Sequence, residues 1–202
     1  MRWFARAAEA WRERERTSGE PGARNGASSF HVYWDLHDTP LISCSAVLEV
    51  VAPPRVPRLY FWAMQASFAA ETQMRGGAHL GLQWNPRHPE AKAANWGGYA
   101  PGGRLLDGSD SPLPSSRNDP NTRDYPWIAG HRYRLEIARD GEGPAGTTAW
   151  KGSVTHLDSG EETVVRHLYA AGDHLIRPIV WSEVFARCEH PTVVVRWSEL
   201  RA

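Results

Sequence analysis

A 202-residue chain that is 41% hydrophobic, with 23 basic and 23 acidic residues giving a formal net charge of +0, can bury one substantial core in a single domain and has no overall field to draw nucleic acid or an anionic membrane. Of the basic residues only Lys92 and Lys151 are lysine, and the two cysteines, Cys44 and Cys188, are too few for a disulfide-built secreted scaffold and are expected as free thiols. The opening Met1–Glu9 lacks the unbroken apolar run of an export signal and nothing later reaches membrane-spanning length, so the expected setting is the cytoplasm, with neither nucleic acid nor membrane as partner.

The first element in chain order is helical. Residues Arg2–Arg16 are rich in Ala, Glu and Arg without Gly or Pro, and a helix there places Trp3, Phe4, Ala7, Ala8 and Trp11 on one face. The organisation is an N-terminal helix over 1–17, a connector over 18–28 containing Gly, Pro, Asn and Ser, and one β-domain over 29–202. From the connector onward the periodicity changes to two. Strands are predicted at Phe30–Leu36, Cys44–Val51, Arg58–Phe68, Ala78–Trp84, Ala94–Tyr99, His131–Ala138, Thr147–Leu157, Glu162–Leu168, Leu175–Ala186 and Thr192–Leu200, each rich in β-branched or aromatic residues and bounded by Pro, Gly, Asp or Asn. Ten strands without interposed helices imply an all-β fold of two packed antiparallel sheets. The long irregular stretch between Tyr99 and Tyr125, with four prolines, is of a length that is usually functional or mobile.

Alternation assigns faces within these strands. Tyr60, Trp62, Met64 and Phe68 share one side, opposite Gln65 and Ser67; Leu80, Leu82 and Trp84 oppose His79, Gly81 and Gln83. Along the ninth strand Ile176, Val180 and Val184 point one way, and Arg177, Ile179, Trp181, Glu183 and Phe185 the other. Rings mixed with charge are costly to bury unless the charges are paired, and suit a polar ligand if left open. Ten tryptophans exceed what core filling usually needs, so some are expected to face a ligand, because indole stacks on sugar rings, aromatics and cations at low entropic cost.

The segments Tyr60–Gln65, Gly77–Trp84, Trp127–Leu135, Trp150–Val154 and Trp181–Phe185, in that order, resemble an uncharacterised bacterial domain family similar to concanavalin-like sandwiches. The resemblance spans roughly Phe30–Leu200. It implies a concanavalin-like jelly roll of the lectin and glucanase type and raises the expectation of glycan contact, although a fold does not establish an activity. The chain departs from the family at Ala94–Tyr99, where Gly97 and Gly98 permit a bulge or a close approach beside Trp96, making Trp96 a candidate rim aromatic.

Catalysis is weighed against binding. Glycoside hydrolysis needs two carboxyl groups across a cleft, and Glu183 is the well-placed candidate, with Asp35, Glu49, Glu136 or Glu199 as partner. None of these forms the Glu-x-Asp-x-x-Glu spacing of jelly-roll glucanases, and pairing of Glu183 with Arg177 is the simpler reading. The pairs His31/His37, His79/His88 and His167/His174 lack zinc-site spacing, so no resident metal or cofactor is expected. Calcium on the loop oxygens of Asp107, Asp110, Asp119, Asn121 and Asp124 is the one ion that this composition allows.

The expected function is therefore lectin-type binding of a glycan or other polyhydroxylated small molecule. Trp96 and Trp181 would stack on the ligand, and Gln65, His79, Gln83, Arg177 and Glu183 would hydrogen-bond to it, provided their strands lie side by side. Two alternatives stand beside it: an intracellular binding or cyclase-type protein for a hydrophobic metabolite, and a glycoside hydrolase using Glu183.

Overall fold

Short runs of β-branched and aromatic residues, interrupted wherever Pro, Gly or Asp forces a turn, form eleven strands and no α-helix among the described residues. The computed structural model describes residues 18–36 and 39–202; the helix expected over Arg2–Arg16 lies outside the described residues. The strands are β1 (Ser28–Tyr33), β2 (Ser43–Ala52), β3 (Tyr60–Ala70), β4 (Gln73–Trp84), β5 (Lys92–Tyr99), β6 (Thr122–Asp124), β7 (Arg132–Glu142), β8 (Thr148–His156), β9 (Glu161–Ala170), β10 (His174–Val184) and β11 (Val194–Arg201). They pair antiparallel into a six-stranded sheet of order β1-β10-β3-β4-β5-β6 and a five-stranded sheet of order β11-β2-β7-β8-β9. All ten expected strands are present. The eleventh, β6, is three residues long inside the expected loop, too short for alternation to be legible.

The sandwich core forms where the inward residues of the two sheets meet. Tyr60, Trp62, Met64, Ala66 and Phe68 of β3, with Leu80 and Leu82 of β4, pack against Leu48, Leu135, Ile137, Trp150 and Val154 of the other sheet. This is the period-two division read from the sequence. Trp62, Trp96, Trp127 and Trp150 are fully buried, with Trp62 edge-on to Trp127 at 5.8 Å between ring centroids. Large rings bury much apolar surface, but each N–H then needs a partner. Trp96 Nε1 donates to the carbonyl of Trp150 at 3.3 Å, Trp127 Nε1 to that of Gln83 at 3.0 Å and Trp150 Nε1 to that of Gly172 at 3.3 Å.

This burial corrects the reading of the tryptophans: none of the eight described is exposed. Trp96 is not a rim aromatic. The strand containing it pairs with β4 in unbroken register from Gly77↔Tyr99 to Trp84↔Lys92, so no bulge turns the ring outward, and alternation sends it into the core. Its ring lies against Gly152 of β8, where a Cβ would come within 2.6 Å of the indole. The space that admits Trp96 is thus supplied by a glycine on the opposite sheet.

The stretch between β5 and β6 closes one flank of the sandwich. It bridges to Tyr99 through Leu105 and to β9 through the Gly108↔Leu168 pair, buries Leu106, and ends on Asp124. That carboxylate lies 2.6 Å from His88 Nδ1 and accepts from the Ser116 backbone N–H at 3.0 Å and hydroxyl at 2.6 Å. The hydroxyl and imidazole contacts hold the Asp124 pKa below the usual carboxylate value despite partial desolvation. Cys44 and Cys188 are free thiols. Burial in the core raises the pKa of Cys44 to about 12, with a smaller push from Glu136, which leaves that thiol inert. No helix among the described residues is long and apolar enough to cross a membrane.

Candidate functional site

Successive strands align their outward side chains into rows, and the rows on the outer face of the six-stranded sheet bring the polar candidates together. One row runs Tyr33–Ile179–Gln65–His79–Gly97 across β1, β10, β3, β4 and β5. The next runs His31–Trp181–Ala63–Gly81–Asn95, and the third Ser29–Glu183–Phe61–Gln83–Ala93. Gln65, His79, Gln83, Trp181 and Glu183 therefore occupy one face of three adjacent strands, while Trp96 lies on the opposite face. Small residues in the second row, Ala63 and Gly81, leave room above the sheet for the Trp181 ring.

Trp181 occupies that room and is only 6% exposed. It meets Phe61 edge-on at 4.9 Å and His79 at 5.7 Å, and its Nε1 donates to Gln65 Oε1 at 3.1 Å. Trp181 is thereby part of a second, smaller apolar cluster with Phe61, Ala63 and Ile179, a floor more than a stacking platform. Gln83 is buried and its Oε1 accepts from Asn85 Nδ2 at 2.9 Å. Glu183 accepts from Asn25 Nδ2 at 3.2 Å.

Arg177 reaches the face by a different route from simple alternation. The β10–β3 register shifts between Ile176 and Ile179, so the Arg177–Pro178 bulge reverses the parity of the strand: Leu175 enters the core and Ile176 pairs with Ser67 on the outer face. This corrects the placement of Ile176 beside Val180 and Val184. Arg177 itself has a φ of 53°, left-handed backbone that a non-glycine residue keeps only where its surroundings hold it, and such residues gather at functional sites.

At that end of the sheet two hollows open side by side. The first, of about 550 Å³, is walled by Tyr33, Trp34, Asp35, Leu36, Arg177, Pro178 and Ile179; the second, of about 430 Å³, by Met74, Gly76, Gly77, His79, Tyr99 and Pro101. Gln65 and Ser67 line both and form the saddle between them. Tyr33 and Tyr99, 71% and 49% exposed, stand at opposite ends, four inter-strand steps or roughly 20 Å apart at the usual strand spacing. The Trp34 indole N–H is buried in the wall of the first hollow and has no hydrogen-bond partner among the described residues. Tyr33, Trp34, Ser67 and Tyr99 were not singled out by sequence reasoning. The tyrosines end their strands, but only the sheet order shows that those ends flank one surface.

Burial among Phe61 and Trp181 disfavours the charged imidazole and lowers the pKa of His79 to about 4. Between about pH 6.5 and 4 the unfolded chain binds a proton there that the folded chain refuses, so native stability is greatest above that window and falls as the pH drops through it. The fall attributable to His79 is at most about 3 kcal/mol. Urea unfolding across this range should show a shallower decline for His79→Gln than for the wild type; parallel curves would remove His79 as the cause.

Glu49, Glu136, Glu199 and Asp124 do not form a hydrolytic pair with Glu183. Glu49, Glu136 and Glu199 belong to the other sheet. Glu49 is bound by Arg196 at 2.6 Å, and Glu199 by Arg132 and, at 2.8 Å, by Arg134. Asp35 lies beyond the far end of β1 from Ser29, the residue paired with Glu183. On the same face, Asp124 is four strands from Glu183, roughly 19 Å, against the roughly 5 to 9.5 Å that glycoside hydrolysis needs. Of the loop carboxylates, Asp107 is bound by Arg104 at 3.3 Å, Asp119 accepts from the backbone N–H groups of Asn121 and Thr122, and Asp124 is held as described.

No family model matches the chain, so membership of the bacterial family that its motif order resembles is not shown, and no curated protein matches it. Among solved structures it is similar to a Scytalido-glutamic peptidase bound to a peptide-based transition-state analogue, at 10% identity and a TM-score of 0.42 over 78% of this chain. The chain spans 65% of that peptidase's length. It is also similar to an alginate lyase from Chlorella virus, at 12% identity and a TM-score of 0.44, covering 92% of this chain and 88% of the lyase. Likenesses this distant do not assign an activity.

Proposed function

We propose that the chain is a concanavalin-like, lectin-type sandwich that binds a carbohydrate or other extended polyhydroxylated molecule along the two joined hollows, without turnover. The observation that carries this reading is the pair of exposed tyrosines at either end of a trough whose saddle, Gln65 and Ser67, is polar. A ring at each end offers stacking, and the carboxamide, hydroxyl and guanidinium between them offer donors and acceptors to hydroxyl groups. The buried N–H of Trp34 adds a donor that a ligand oxygen would satisfy. Both hollows open to solvent, which suits a polar chain better than the closed apolar cavity that a hydrophobic metabolite needs. The stacking role proposed for Trp96 and Trp181 passes to Tyr33 and Tyr99. Gln65, His79 and Arg177 keep their place at the ligand, whereas Gln83 and Glu183 lie outside both hollows.

The test is calorimetric titration with a panel of oligosaccharides. Tyr33→Ala and Tyr99→Ala should each weaken the binding of a responsive sugar by about 1–3 kcal/mol. Phe30→Ala, equally exposed but one residue out of phase on β1, should leave it unchanged. No saturable response from any sugar, together with binding of an apolar metabolite, would overturn the reading.

A further inference from the structure

A second site lies on the five-stranded sheet, built from residues that take no part in the trough. His131 immediately precedes β7, His156 ends β8 and Asp158 lies in the turn to β9. The β7–β8 pairing sets Tyr133 opposite His156, and the Leu157 N–H donates to the Arg132 carbonyl at 2.9 Å. These contacts carry the turn against the start of β7. His131 Nδ1 comes within 2.7 Å of His156 Nε2 and 3.3 Å of Asp158 Oδ2, and the last two atoms are 3.8 Å apart. This is the one group of three or more His, Cys, Asp or Glu side chains among the described residues whose ligand atoms converge in this way.

We infer that His131, His156 and Asp158 form a binding site for a divalent transition-metal ion of the zinc type. A circle through three atoms at these separations has a radius of about 1.9 Å, so a single point lies close to zinc–nitrogen and zinc–oxygen bond length, about 2.0–2.2 Å, from all three. A proton shared between the two imidazoles accounts for their contact, but it does not account for the carboxylate oxygen, a third potential metal ligand within 3.8 Å of both nitrogens. The rings are also held in place. Ser159 Oγ lies 2.9 Å from His156 Nδ1 and holds that imidazole with Nε2 turned toward His131, as outer partners of metal-binding histidines do. The Tyr133 ring packs against His156 at 5.1 Å. Two imidazoles and one carboxylate favour zinc, nickel or copper over calcium or magnesium. Asp158 is mostly exposed and His131 partly so, which leaves room for water as a fourth ligand. The ion would pin the β8–β9 turn to the start of β7.

The test is calorimetry with zinc chloride on chelator-treated, untagged protein carrying Cys188→Ser, so that this thiol does not compete. Zinc should bind at one equivalent and raise Tm, and calcium should do neither. His131→Asn and Asp158→Asn should each weaken zinc binding about tenfold or more and abolish the Tm rise. Asp158 sits in an exposed turn, so its variant keeps the test decisive even if the histidine variant folds poorly. Absence of a one-equivalent zinc site in the parent protein, or zinc binding unchanged in Asp158→Asn, would overturn the inference.

Discussion

Trp96→Ala is expected to lower unfolding stability by about 3–5 kcal/mol. The ring is fully buried between the sheets, packed against the bare backbone of Gly152. Its removal leaves a void that neither sheet can close, because strands held in ladders move as units. It also removes the indole N–H bond to the Trp150 carbonyl at 3.3 Å, adding the net worth of one buried hydrogen bond. Urea unfolding measures this directly. A loss below about 1 kcal/mol, with ligand binding weakened instead, would return Trp96 to the surface role that its sequence position suggested.

Trp181→Ala is expected to be the next most damaging change, but with a local signature. Its ring is covered by Phe61, His79 and Ile179 on the outer face of one sheet, not enclosed between two. A cost near the lower end of the aromatic range, about 2–3 kcal/mol, follows because water can refill part of the space. The same change should raise the pKa of His79 from about 4 toward the ordinary imidazole value, since the ring that excludes water from it is gone. It should also release Gln65, whose carboxamide oxygen accepts from the indole N–H at 3.1 Å, so sugar binding should weaken indirectly. NMR titration of His79 reports the first effect. An unmoved titration with stability intact would mean that Trp181 is not the lid over His79.

Both results bear on what periodicity conveys. Alternation along β3 and β4 separated Trp62, Met64 and Phe68 from Gln65, and Leu80 and Leu82 from His79 and Gln83, and the sheets place them so. Where a strand is regular, side-chain direction follows from backbone geometry alone. At Arg177–Pro178 the rule failed in one detail. A bulge consumes an extra residue and reverses the parity of everything before it, so Ile176 faces outward and Leu175 inward. The burial of Trp96 follows from a related limit: alternation shows that a ring leaves its strand on one side, but not which side is covered. Gly152, 56 residues further along, decides that. His131 and His156 are 25 residues apart, a spacing with no metal-site signature, and only the β7–β8 ladder brings their nitrogens together.

What the sequence by itself determined is therefore the all-β class, the positions of ten strands, their inner and outer faces where regular, the free thiols, and a polar surface drawn from Gln65, His79 and Arg177. These depend on local chain geometry and on the energetic need to bury apolar side chains, both written into neighbouring residues. The order of strands within each sheet, the full burial of Trp62, Trp96, Trp127 and Trp150, the trough from Tyr33 to Tyr99 and the convergence of His131, His156 and Asp158 were decided by tertiary structure alone. Each depends on which strand lies beside which, and that choice is made by the packing of the whole sandwich, through contacts between residues far apart in the chain.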